Sequence, residues 1–142
     1  MTKTIVHYAG RASFDGRDPL ASALALYGRD VSARDLFASR PGRLRLVTLS
    51  ACATGQSAVR SGDELLGLTR ALLCAGASSV LSTMWSVDDE ATAELMSAFY
   101  DHWIVRHECK VDALLAAQRH VIGAGYRDPA LWAPCALIGD WY

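Results

Sequence analysis

A chain of 142 residues with a net charge of −1 has the size of one ordinary domain and no general attraction to nucleic acid or anionic membranes. Half of it is hydrophobic (51%) and a fifth charged, as in soluble globular proteins, and no apolar run reaches the roughly 18 residues of a membrane helix. Four scattered cysteines without a CxxC pair argue against a disulfide framework and a zinc site and for a reducing, cytoplasmic setting, and no cofactor is expected. The N-terminus lacks the long apolar stretch of a secretory signal.

In chain order, Ile5 to Ala9 reads as a short strand closed by Gly10. A long loop follows, with turn residues at Asp15-Gly16 and Asp18-Pro19. "VSARDLFAS" predicts a short helix capped by Ser32, and Leu44 to Leu49 a second strand, apolar on both faces as a central parallel strand must be. Ser61 and Glu64 form an S-x-x-E box ahead of a helix whose Leu65, Leu68, Leu72 and Leu73 make one stripe and which stops at Gly76. "SSVLSTMW" is the third strand. "VDDEATAELMSAFYDHW" starts with three acids that suit a helix dipole and presents Ala91, Leu95, Phe99 and Trp103 to the core. A further helix carries Val111, Leu114, Leu115, Gln118 and Ile122, and "APCALIGDWY" supplies the last strand. Trp132 and Trp141 are expected as core anchors, with Trp85 packed at a rim.

Charge is unevenly spread: residues 1–48 hold eight basic and four acidic side chains, residues 49–105 two basic and seven acidic. Seven carboxylates on two helices suit a solvated face or a basic ligand.

Strands alternating with helices imply an α/β domain with a mainly parallel sheet, in which sites form at the carboxyl ends of strands. Gly10 and Arg11, Ala51 and Cys52, and Trp85 to Asp89 would share that rim. Cys52 therefore stands where chemistry is expected, although a small, apolar thiol at a strand end is equally at home in a core.

"LVTLSACATG", "SGDELLGLTRALLCAGASSVLSTMWSVDDEATAELMSAFYDHW" and "DPALWAPCALIGDWY" resemble the CHAT domain, a caspase-like (clan CD) cysteine-peptidase family related to separase and often found beside TPR repeats. The resemblance extends from about Ile5 to Tyr142, so residues 1–142 read as a single CHAT domain: a caspase-like three-layer sandwich without the strands that usually precede the histidine strand. It implies a Cys–His dyad on adjacent strand ends, in which histidine polarises the thiol and later protonates the leaving amine. Cys52 matches the nucleophile. In "HYAGRA", His7 takes the first position of the histidine motif and Arg11 stands where the catalytic histidine is expected.

An arginine side chain keeps its proton and cannot serve as a general base, though its charge can favour a thiolate. His7 as substitute base would lie four residues upstream, about 13 Å along a strand, and a structural role suits it better. His102, His107 and His120 read as solvated or helix-end residues. The resemblance further implies that Asp89, or less readily Asp88, lines a pocket for a basic side chain preceding the scissile bond. Both also suit a helix start.

The sequence thus leads to a CHAT domain impaired in catalysis and acting as a protein-interaction or regulatory module. Two alternatives stand beside it. One is an active endopeptidase cleaving after a basic residue, its base drawn from another histidine or a partner chain. The other is a structural α/β domain with Cys52 packed in the core. The expected partner is a protein or peptide. An exposed first strand would also invite a second copy or a separate chain to complete the sheet.

Overall fold

In the computed structural model, residues 4–15, 17–39, 44–53, 63–86 and 88–142 are described, with 51–53 and 63–66 described by their backbone alone. A six-stranded sheet runs in the order β3-β2-β1-β4-β5-β6. Its strands are β1 (Thr4–Ser13), β2 (Ala23–Leu26), β3 (Arg29–Ser32), β4 (Leu44–Ala53), β5 (Ser79–Thr83) and β6 (Cys135–Gly139). β1, β4 and β5 are parallel, β6 runs antiparallel to β5, and β2 and β3 form an antiparallel hairpin beside the end of β1.

Helices cover both faces, giving three layers. On one face α1 (Ala33–Ala38) and α2 (Asp63–Cys74) join Val47, Leu49 and Val80 in a core with Leu68, Ala71 and Leu72. On the other, α3 (Asp89–Tyr100) and α4 (Lys110–Gly123) close over Leu46 and Leu81 with Leu95, Phe99, Trp103 and Val121. A short α5 (Pro129–Trp132) precedes β6. No helix among the described residues is long and apolar enough to cross a membrane.

The local signals explain the boundaries. Ser32 caps α1 and forms a capping box with Asp35. α2 ends in a Schellman motif, in which the N–H groups of Gly76 and Ala77 donate to the carbonyls of Leu73 and Leu72 and Gly76 takes φ 108°. Asp88 caps α3 by accepting from the amides of Glu90 and Ala91. Asp15 closes the loop after β1, accepting from the amides of Arg17 and Asp18, and those bonds lower its carboxyl pKa. Gly16 and Ser61, and with Ser61 the S-x-x-E box, lie outside the described residues. So do the side chains of Leu65 and Glu64.

Four expectations need correction. The first two strands run on to Ser13 and Ala53, because each has a neighbour to pair with beyond its apolar stretch. The loop after β1 contains the β2–β3 hairpin, whose two-residue turn at Tyr27-Gly28 uses a glycine at φ 83°. In α4 the buried residues are Lys110, Ala113, Leu114, Ala117 and Val121, while Val111, Leu115 and Ile122 face solvent. Alanines let α4 approach α3 closely, so the larger apolar side chains are displaced to its outer side. Trp141 is 58% exposed rather than a core anchor. The central buried tryptophan is Trp103, stacked on Phe99 at 5.8 Å and covered by the Arg45 guanidinium at 4.8 Å.

Trp103 sits in a π-helical turn, Asp101–Val105, closed by the Arg106 amide donating to Asp101 five residues back. The stripe Ala91, Leu95, Phe99, Trp103 advances four residues at a time and would drift by about 40° per step on an α-helix. The wider turn offsets that drift and keeps Trp103 against the sheet.

Candidate active site

The chemistry-bearing residues gather where the parallel strands end. β1 and β4 pair in register from Ile5↔Leu46 to Ala12↔Ala53, and this ladder sets Arg11 directly opposite Cys52. Residues paired across a parallel ladder point to the same face, with neighbouring strands about 4.8 Å apart. The His7↔Thr48 pair lies four steps earlier on that face. His7 is therefore about 13 Å along the strands from Cys52. The Cys52 side chain lies outside what is described.

Local structure holds Arg11 at this level. The Tyr8 ring folds across Gly10, where an added Cβ would stand 2.7 Å from the ring. The Tyr8 hydroxyl lies between two carbonyls, 2.6 Å from that of Arg11 and 2.8 Å from that of Ala25, tying β1 to β2 just where the hairpin joins the sheet. Only glycine leaves room for that ring, so "YAGR" positions the residue after it. Sequence reading placed Gly10 at the strand end and rim but passed over Tyr8. Their spacing to Arg11 was visible, but the fold of the ring back along the strand was not.

His7 is occupied elsewhere. Its Nδ1 is 2.9 Å from the Tyr100 hydroxyl, which is also 2.8 Å from Thr48 Oγ1. This triad joins the end of α3 to β1 and β4. Partial burial lowers the His7 pKa, and burial raises that of Tyr100 against the opposing Thr48 bond, so both groups favour their neutral forms. The other histidines also have structural settings. His102 lies 3.0 Å from Glu108, His120 2.6 Å from Glu94, and His107 takes φ 60° just beyond the π turn. α3 starts after β5 and has returned by Tyr100 to the level of His7 and Thr48, so His102 and His107 lie further still from the Cys52 level.

At the rim beyond β5, the Thr83 hydroxyl reaches the Leu49 carbonyl and the Trp85 indole donates to the Ala130 carbonyl at 2.9 Å, fixing Trp85 against α5. Asp88 Oδ1 is committed to capping, whereas Asp89 is an exposed first-turn carboxylate with no hydrogen bond or ion pair to a described residue. Cys135 pairs with Thr83 across β5 and β6, and burial pushes its thiol up to about 12, which makes it inert at neutral pH. Among the described residues, no three His, Cys, Asp or Glu side chains cluster as metal ligands.

Chemically, the ladder presents a cysteine position level with an exposed arginine. Comparison with known proteins identifies the family. Residues 2–140 match the family model described as the CHAT domain. Tetratricopeptide repeat protein 28 of Mus musculus and that of Homo sapiens are each 33% identical over 99 residues, 68% of this chain. The chain spans only 4% of the length of either relative. With a six-stranded α/β sheet, helices on both faces and a family match across nearly its whole length, the chain belongs to the CHAT domain family.

Proposed function

We propose that this CHAT domain retains the nucleophile position of a cysteine peptidase at Cys52 but lacks the base, and that it binds protein segments rather than hydrolysing them. The observation carrying this reading is the Arg11↔Cys52 register. Amide cleavage by a thiol needs a group that takes the thiol proton and returns it to the departing amine nitrogen. A guanidinium does neither, although its charge stabilises a neighbouring thiolate. His7 is four register steps away and bonded to Tyr100, which speaks against an active enzyme using it as base.

In this reading Asp89, with Asp88 beside it, supplies negative charge for a basic side chain of the bound segment. β1 offers a second attachment. Among the described residues its outer edge is paired only at Ala12 and Ser13, and Ile5 and Val6, on opposite faces, are 37% and 39% exposed. An extended segment of a separate chain could add as a strand there. The scattered thiols suit a reducing, cytoplasmic setting.

The test is a panel of peptides with a basic residue before the scissile bond, offered to the wild type, Cys52→Ala and Arg11→His. The proposal expects no hydrolysis by the first two and a gain in the third. Cys52-dependent turnover by the wild type would establish the active-peptidase reading instead.

A further inference from the structure

α4 carries two apolar stripes, and the domain uses one. Lys110, Ala113, Leu114, Ala117 and Val121 are buried. Val111, Leu115 and Ile122, with Gln118 between the last two, form a second stripe about 110° around the helix. Its apolar members stay 45%, 45% and 37% exposed. Trp141 lies at the foot of this stripe, its carbonyl accepting from the Val111 amide at 3.4 Å. An apolar row at helical spacing that faces water is the signature of an association surface.

The flanking charges identify the partner. Asp112 and Arg119 lie two turns apart on the solvent flank of the stripe, at about 100° and 80° from Val111. Arg119 makes no ion pair with a described residue, and Asp112 is held by the Cys109 thiol, 3.0 Å from its Oδ2. A second α4 laid antiparallel across the stripe, about a two-fold axis between Leu115 and Gln118, sets Val111 against Ile122 of the other copy. The same operation brings Asp112 of each copy onto the same flank as Arg119 of the other, about 3 Å apart along the axis and within side-chain reach, twice over. Opposed helix dipoles add to the match. A parallel two-fold pair would instead put the two Asp112 on opposite sides of the seam and bring neither to Arg119 of the other copy. One surface thus supplies both halves of a complementary contact, as an isologous two-fold interface requires.

We propose that the chain self-associates as a two-fold dimer through an antiparallel α4–α4 contact. A single helix pair is a small interface, below about 1,200 Å², so the dimer dissociates on dilution.

Sedimentation velocity of the full chain over a concentration series tests this, with far-UV circular dichroism confirming the fold of each variant. The wild type should show a monomer–dimer equilibrium, and Leu115→Arg should remain monomeric. Asp112→Arg and Arg119→Asp should each weaken dimerisation by about tenfold, since each change acts twice. The double reversal should recover the wild-type dissociation constant. A wild type that stays monomeric throughout, a dimer insensitive to these reversals, or a double variant no better than the singles would overturn the proposal. The readout is mass, so it stands or falls independently of any peptidase activity.

Discussion

β4 divides the molecule into two unlike halves. Toward β5 and β6, Leu46, Leu81, Leu95 and Phe99 are at most 1% exposed, covered by α3 and α4. Toward β1, Ile5 and Val6 are more than a third exposed and one strand edge is mostly unpaired among the described residues. The closed half is held by packing. The open half packs Ala12, Leu24 and Ala33 on one face only and adds polar ties: the His7–Tyr100–Thr48 triad and the Tyr8 hydroxyl. Cys52 and Arg11 sit on the boundary, one on each strand. The positioning of the candidate site therefore combines the packed face beneath β1 and β4 with a few hydrogen bonds on the other side.

The contrast is broken most strongly by Phe99→Ala, which should cost about 3–5 kcal/mol in denaturant unfolding because a ring is removed from a fully packed site. Lys110→Ala should cost about 3 kcal/mol. Its Nζ donates to the carbonyls of Asp140 and Tyr142 at 2.7 and 2.6 Å, and truncation leaves both without that donor. Tyr100→Phe should cost about 1 kcal/mol by removing the hydroxyl between His7 and Thr48. Val6→Lys, on the open edge, should change stability by less than about 0.5 kcal/mol while lowering light scattering at high concentration, because edge lysines oppose strand addition.

The triad also has a pH signature. The folded-state pKa of His7 is lowered below its ordinary 6.5, so the unfolded chain takes up a proton first as the pH falls. Its contribution to stability is complete above about 6.5 and is lost as the pH drops through the lowered value. Unfolding curves from pH 7.5 to 4.5 should show this slope in the wild type and a weaker one in His7→Asn.

Much of the fold was legible where its signals are local and periodic: the 91–95–99–103 stripe, the Ser32 cap, Asp88 ahead of α3 and Gly76 after α2. What was not legible depended on which neighbour arrives. Val111, Leu115 and Ile122 have the spacing of a core face, yet the alanines on the adjoining face pack against α3 instead. The β2–β3 hairpin hid in four-residue runs without a strong alternation. At the site, the motif "HYAGRA" placed Arg11 on the same strand as His7. That Arg11 stands level with Cys52 is a matter of register between strands some forty residues apart, which periodicity alone does not set.

The central proposal is that Cys52 has no proton-transfer partner among the described residues at its level of the sheet. Steady-state hydrolysis of a basic-residue peptide by the wild type and by Arg11→His, each with and without Cys52→Ala, measures this directly. The account predicts background rates for the wild type and a Cys52-dependent rate only when histidine replaces Arg11. Cys52-dependent turnover by the wild type, unchanged or reduced in Arg11→His, would contradict it.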